Sequence, residues 1–362
     1  MAKLLSFADL IITDITNCCG RELTGSEKFD GVQDDSMDEM VMPKCYFDHP
    51  SHVGPYIDLE KKQITFKHVD DFTLYAQDDC GDDICLHDIN QGMIGDCWFL
   101  SAIDFSISSE LYRESLKENV RSVDKHTVSV SLYDTKSGEW KTTYVDTRLL
   151  VNGDYIPTTL SVLSKTPSEI WPAMLEKGLA KMCGGYKNIE GGWMSEGMCF
   201  LHGGRGYFIS SHDLVPKMLE DDTFIDRFAT DLLVLYEKGY GFFTAWEKDA
   251  FTSIRKKGLV DSHAYSLLDL KNVDGEWVFK IKNPWGKFEW NGKYSDKDDS
   301  QHSKRVHKAM GLTGTEDGEF LMSAFDLFGR CEGIDIFEPT DETCIRCLHN
   351  VVKVDDDDTA GS

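Results

Sequence analysis

The chain has 362 residues, enough for one large domain or two with a sizeable core. Its hydrophobic share of 41% and aromatic share of 11% are those of a folded globular protein. A formal net charge of −25 argues against nucleic acid or an anionic membrane surface as partner and suits the binding of cations.

Residues 1–69 form an N-terminal segment of unknown role: a short amphipathic start (Leu4, Phe7, Ala8, Ile11, Ile15), then an acidic polar stretch near Asp34–Glu39. Asp9 interrupts the apolar patch and no small-residue cleavage site follows, so no secretory signal is read here. No run is long enough to span a bilayer. Acylation at Cys18-Cys19 is disfavoured, because the flanking charge is not basic. Between residues 68 and 112 there is no Lys or Arg against ten Asp or Glu, most densely in "QDDCGDDICLHD". Such a run is usually a solvated loop, yet it is also easily recruited by a hard cation.

In "QGMIGDCW", residues 91–98, Gly95 and Asp96 punctuate, and an apolar run at helical spacing follows from Cys97. Cys97 is therefore expected in the first turn of a helix, where free backbone N–H groups and the helix dipole favour a thiolate. By itself such a cysteine is more often a small buried hydrophobe, so partners elsewhere must decide its role. "TVSVSLY" and "EWKTTYVDTR" alternate with period two around "DTKSG", the mark of a hairpin. "TPSEIWPAMLEKGLAKM" reads as a helix with Thr166 as N-cap, Pro167 first, and Glu169 closing a capping box.

Glycines cluster at 184–185, 191–192 and 203–206, and a hinge between half-domains is placed at Gly203–Arg205. Residues 205–339 look β-rich, with a second hairpin, "HAYSLLDLKNVDGEWVFKIKNPW", turning at "NVDG". Folded about a turn centred between Val273 and Asp274, it places residue 263 opposite 284, so His263 and Asn283 fall side by side. "DKDDSQ" at 296–301 lacks the Gly and distant Glu of an EF-hand. Cys344-x-x-Cys347 lacks a second ligand pair for structural zinc, and "DDDDTAGS" reads as a disordered tail. The eleven cysteines show no disulfide-framework spacing and no N-x-[ST] sequon occurs, which points to a reducing, intracellular, cytoplasmic setting.

A His held by an amide and facing a helix-N-terminal Cys gives the parts of a Cys–His–Asn protease. Here the chain resembles the calpain family of cysteine proteases. The matching stretches are "HDINQGMIGDCWFLSAI", "YVDTRLL", "SEIWPAMLEKGLAKMCGGY", "SHAYSL", "KNPWGKFEWNGKYSD" and "EDGEFLMS", in family order from about residue 70 to 340.

The resemblance implies an α+β fold, a papain-like core with a helical half-domain over 70–203 carrying Cys97. A β-rich half-domain over 204–340 carries His263 and Asn283, and 341–362 is a tail. It implies Cys97 as nucleophile, His263 as general base, Asn283 as its orienter, and Gln91 completing the oxyanion hole with the Cys97 N–H. Trp285 matches the family's cleft tryptophan, which can wedge between the halves. Two calcium ions are expected. Asp88 and Glu169, with carbonyls near 81–83, match the ligands of the first. Glu289, Asp296, Asp317 and Glu319, with a carbonyl from Thr315, match those of the second.

Two departures stand out. The β-sandwich and EF-hand domains of conventional members have no counterpart after residue 340. Leu86 replaces an Arg that bridges to the second calcium loop, at Glu319 here, which puts the coupling of the two sites in question. The expectation is a monomeric, calcium-dependent endopeptidase performing limited proteolysis on extended segments of protein substrates, with no nucleic acid and no transmembrane segment. A non-catalytic calcium-responsive binding module on the same fold is the alternative. A transglutaminase-type acyltransferase is a second rival, which the neutral Asn283 disfavours.

Overall fold

A computed structural model describes residues 7, 10–25, 64–68, 72–76, 83–152, 161–166, 168–246 and 258–340. The chain opens with a two-residue strand β1 (Thr13–Asp14) and continues with β2 (Ile64–His68) and a 3-10 turn at Leu86–Asp88. Two helices follow, α1 (Cys97–Ser108) and α2 (Glu110–Lys117), then four strands: β3 (Val120–Asp124), β4 (Thr127–Asp134), β5 (Glu139–Asp146) and β6 (Arg148–Asn152). Next come α3 (Trp171–Met182) and α4 (Met194–His202). Beyond Gly203 the chain forms β7 (Arg205–Ser210), α5 (Ser211–Glu220), α6 (Phe224–Tyr236), β8 (Gly241–Trp246), β9 (Ala264–Val273) and β10 (Glu276–Lys282). It ends in α7 (Gln301–Met310), β11 (Glu319–Ser323), α8 (Ala324–Phe328) and β12 (Cys331–Glu338). Helices and sheets segregate rather than alternate, as an α+β fold requires.

The large sheet runs β1-β7-β12-β8-β9-β10-β11, and its pairs are antiparallel. Smaller sheets join β2 to β6 and β3-β4-β5. The buried hydrophobic residues divide accordingly. One core gathers Trp98, Phe105, Trp171, Met198 and others from the first half, and a second gathers Phe228, Trp246, Phe279, Phe320 and others from the second. Helix α1 is buried from Trp98 to Ile107 on every side, because it packs on α4 within its own half and on β9 of the other. A helix between two layers presents no solvent face, so its apolar residues are buried all round.

Gly203 and Gly204 adopt φ of 70° and 144° where the first half gives way to the second. At Gly204 a Cβ would meet the carbonyl of Glu338 at 2.5 Å, so the chain turns there only without a side chain.

Three sequence expectations shift. Helix α3 begins at Trp171 with Ile170 as N-cap and Pro172 in its first turn, not at Pro167, which lies outside the described residues. Glu169 forms no capping box, because it pairs in an isolated bridge with Thr73 and its carboxylate accepts from Ala76 N–H at 2.7 Å. The hairpin β9–β10 turns at Asp274-Gly275, whose φ values of 54° and 89° both suit a tight two-residue turn. A bulge at Lys280/Ile281 then changes the register, so Lys282 faces Ser266 at the open end. The β-rich half also contains α5, α6, α7 and α8, of which the sequence reading named none. The tail, Cys344 and Cys347 lie outside the described residues.

Candidate active site

Cys97 is the first residue of α1, after an Asp96 N-cap that makes no side-chain cap bond. It is partly buried, and the backbone of Ala264, the residue after His263, acts on its thiol. Burial pushes the Cys97 thiol up to about 11 against the opposing pull of the Ala264 backbone, so its surroundings alone do not make it a thiolate. A positively charged imidazole partner would have to supply that stabilisation.

His263 lies just before β9, buried, behind Ser262 in a left-handed conformation (φ 53°) that Trp246 O holds through the Ser262 N–H. Its Nε2 is 2.8 Å from Asn283 Oδ1. The predicted cross-strand neighbours thus do meet, although through a different register. Asn283 cannot turn over: its Nδ2 donates to Lys287 O at 2.6 Å and Phe288 O at 3.1 Å, while Oδ1 also accepts the Trp285 N–H at 3.0 Å. With Oδ1 fixed as an acceptor, Nε2 of His263 carries the proton and Nδ1 is left as the basic nitrogen of the neutral ring. The Trp285 ring lies over His263 with centroids 4.4 Å apart, and also against Phe288 at 5.8 Å.

Gln91 approaches from the first half. Its backbone N–H donates to Pro284 O at 3.0 Å, which ties the two halves together beside Asn283. Its Nε2 donates to Ile94 O at 2.7 Å and lies 3.5 Å from Asp96 Oδ1. Asp96 itself is fully buried, and burial pushes its carboxyl up to about 8.

Two pairs of carboxylate-rich segments could hold a hard cation. In the first half, Asp88 and Glu169 are buried and converge on Ser164, whose hydroxyl is 3.2 Å from Asp88 Oδ1 and 2.7 Å from Glu169 Oε2. Burial and the adjacent Asp88 push Glu169 up to about 7, the sign of negative charge without a neutralising partner. Of the expected carbonyl donors, 81 and 82 lie outside the described residues. In the second half, burial and the charges of Asp296 and Asp317 push Glu289 up to about 7, and Glu289 Oε1 accepts the Gly318 N–H at 2.8 Å. Asp296 Oδ1 is buried with no hydrogen-bond partner. Glu289 and Asp296 line a cavity of about 390 Å³.

Glu319 stands apart from that set, since Lys280 Nζ ion-pairs with it at 2.5 Å. Thr315 hydrogen bonds Asp317 through both its carbonyl and its hydroxyl, each at 2.8 Å. Among the described residues, no group of three or more His, Cys, Asp or Glu converges on one metal position. A cation would therefore need carbonyl and water oxygens besides these carboxylates. An oxygen-only donor set with unneutralised charge fits calcium by its chemistry.

Comparison with known proteins settles the family. Residues 57–338 match the model of the calpain family cysteine proteases. The chain belongs to the calpain family. It is 31% identical over 245 residues to the calpain-type cysteine protease DEK1 of Zea mays, a match covering 65% of this chain and 11% of that one. It is 30% identical over 263 residues to the calpain-2 catalytic subunit of Gallus gallus, covering 71% and 36%. Calpain clp-1 of Caenorhabditis elegans is 29% identical over 259 residues, covering 69% and 32%. The match thus spans about a tenth to a third of these relatives' length.

Several residues with a part in this site carried no sequence signal. Lys280 and Lys282 read as strand lysines, yet Lys280 holds Glu319 and Lys282 donates to Asp317 O at 2.7 Å. Asp104 reads as one polar residue in a helix, yet it is wholly buried with neither oxygen hydrogen-bonded; burial pushes its carboxyl well up, and the Lys282 charge opposes that. Only the pairing of β10 with β11 and the packing of α1 on β9 reveal these contacts.

Proposed function

We propose that this calpain-family chain is a calcium-dependent cysteine endopeptidase acting through Cys97, His263 and Asn283. The observation that carries the reading is the His263 Nε2–Asn283 Oδ1 contact of 2.8 Å, with the next residue, Ala264, opening the strand β9 on which the Cys97 helix packs. In this mechanism Nδ1 of His263 accepts the Cys97 thiol proton, and the resulting thiolate attacks the scissile carbonyl carbon. The Cys97 N–H and the Gln91 amide stabilise the oxyanion, a donor of this kind being worth about 2.7–4 kcal/mol in comparable enzymes. The imidazolium then returns its proton to the leaving amine. A water molecule, deprotonated by the same nitrogen, hydrolyses the thioester and frees Cys97.

Calcium, when bound, supplies positive charge to the carboxylates of Asp88 and Glu169 in one half and of Glu289, Asp296 and Asp317 in the other. We place Glu319 outside the ligand set in the state described, because Lys280 already neutralises it. Substrates are extended protein segments laid between the halves, and the working form is a monomer. Among the described residues no helix is long and apolar enough to cross a membrane. The thiols of Cys18, Cys19, Cys97, Cys183, Cys199 and Cys331 are free, which fits the cytoplasm. Cys85 departs from the reduced set: it is disulfide-bonded, and its partner lies outside the described residues.

The test is cleavage of an unfolded protein such as casein by the purified chain, in calcium and in EDTA, beside Cys97→Ser. Calcium-dependent cleavage that Cys97→Ser abolishes, with an unchanged circular dichroism spectrum, is the expected result. Cleavage surviving in Cys97→Ser would remove the nucleophile assignment.

A further inference from the structure

The N-terminal residues 10–25 show no functional pattern in the sequence, yet they run across both halves. Phe7 and Leu10 are buried in the second core, with the Phe7 ring 5.2 Å from Phe228. Thr13 and Asp14 pair with Phe208 and Tyr207 at the edge of the large sheet, and Ile15 N–H donates to Gly206 O at 2.9 Å. The chain then crosses to the first half. There Thr135 donates to Asn17 Oδ1 at 2.7 Å and Lys136 Nζ to Gly20 O at 2.8 Å, both from the turn between β4 and β5. Leu23 enters the first core, and Thr24 bonds Met182 O at the end of α3 through its N–H and its hydroxyl.

Between these anchors sits Arg21, whose guanidinium is spent on four acceptors. Nε donates to Asn188 O at 3.1 Å, Nη2 to Glu190 O at 3.4 Å and to Gly191 O, and Nη1 to Glu196 Oε2 at 2.5 Å. The same guanidinium lies 4.5 Å from the centre of the Trp98 ring. Lysine could not do this, because a planar fork is needed to reach diverging acceptors while stacking on an indole.

What Arg21 holds is itself fastened to both sides of Cys97. Gly191 N–H donates to Gly95 O at 2.8 Å, two residues before the nucleophile, and Trp98 Nε1 donates to Ile189 O at 2.8 Å, one residue after it. A Cβ at Gly192 would strike the Trp98 ring at 2.6 Å and Arg21 Nη1 at 2.9 Å, so the three are in close contact. Gly192 also walls a cavity of about 210 Å³ shared with Trp193, Phe208, Thr244 and Ala245. Ala245 is the register partner of Ala264, the residue after His263.

We propose that Arg21 is a positioning residue of the active site. It clamps the 188–192 loop against Gly95 and Trp98, and so sets the start of α1. The segment carrying it is pinned to both halves, so the N-terminal strap is a working part of the catalytic unit. This inference rests on Cys97 being the nucleophile.

The test compares the full chain with Arg21→Lys and Arg21→Ala. Steady-state cleavage of an extended peptide is one readout, and amide hydrogen exchange resolved to the 95–98 and 188–192 segments is the other. A placement error at the reacting atoms should lower kcat by about ten- to a hundredfold, and more than it raises KM. Exchange should rise in those two segments while the cores of both halves keep their protection. Millimolar methylguanidine should restore part of the activity of Arg21→Ala, and Arg21→Lys should remain impaired. Unchanged exchange at 95–98 in both variants would overturn the proposal. So would a uniform loss of protection throughout the molecule, which marks a purely structural residue. If the wild-type chain cleaves no peptide, the protease reading fails on its own, and the exchange pattern still decides whether Arg21 sets the Cys97 turn.

Discussion

Asn283 has its side-chain nitrogen tied to two carbonyls, and for that reason only its oxygen can face His263. One amide thus decides which nitrogen of a neighbouring imidazole can take up a proton. The residue next to Cys97 obeys a different logic. Asp96 is fully buried with Oδ2 unbonded, and burial pushes its carboxyl up to about 8. In the unfolded chain an Asp ionises near about pH 4, so between about pH 4 and pH 8 the native state holds a proton that the unfolded state has lost. Stability therefore falls as pH rises through that window, with a slope of at most about 1.4 kcal/mol per pH unit from this one group. Asp96→Asn, which keeps the shape and cannot ionise, should melt at a higher temperature than the wild type at pH 8. The two should converge towards pH 4. A constant difference at both pH values would mean that ionisation at Asp96 is not the source.

Among the elements, α3 rewards a close reading. Its apolar spacing was legible in "WPAMLEKGLAKM", but its start was not, because Glu169 finds better partners in Ala76 and Ser164 than a cap could offer. The helix is fastened to the β5–β6 corner by Lys177, whose buried ammonium reaches Asp146 Oδ1 at 2.5 Å and the carbonyls of Asp146 and Arg148, each at 3.0 Å. Burial alone would raise the Asp146 carboxyl, but the bonds and charges of Arg148 and Lys177 outweigh it and bring it down to about 2. Its native pKa is lower than its unfolded one, so the pairing stabilises above about pH 4 and is lost as pH falls towards about 2. Asp146→Ala should cost about 3–5 kcal/mol at pH 7, since it leaves a buried cation without its anion. Urea unfolding at pH 7 and near pH 2 checks this, and an equal loss at both would assign the effect to packing.

The whole molecule brings two acid clusters, one per half, to either side of a junction closed by Gln91 N–H on Pro284 O. In the first half, removal of Asp88 takes away one buried anion of a closely placed pair, and in the second, Asp317 is one of three whose charges act on each other. Asp88→Asn and Asp317→Asn should each raise the calcium needed for half-maximal cleavage, and each should remove one ion from the stoichiometry seen by titration calorimetry. Glu319→Gln should leave that stoichiometry unchanged, because Lys280 already occupies the carboxylate. Full activity in EDTA would take calcium out of the account altogether. The Lys280–Glu319 pair also bears on the missing arginine at Leu86. Lys280 and Glu319 both belong to the second half, so the cation that engages Glu319 does not bridge the two.

By itself the sequence determined the features that depend on near neighbours. Cys97 at a helix start, the two hairpins and the acidic loops all follow from local punctuation and the periods of helix and strand, which act over a few residues. Even the family could be read from such short stretches in order. Tertiary structure decided the features that need residues far apart to meet. The His263–Asn283 contact survives a displaced turn because the bulge at Lys280/Ile281 changes the register again before the strand end, and no spacing rule foresees a bulge. Glu169 leaves its helix for Ala76, and Glu319 pairs with Lys280, because a carboxylate drawn out of water takes the nearest donor that packing provides. Arg21 lies 76 positions before Cys97 in a stretch with no periodicity. Its place against Trp98 and Glu196 comes from a strap laid across two cores, and such a contact is written only in the way the surfaces fit.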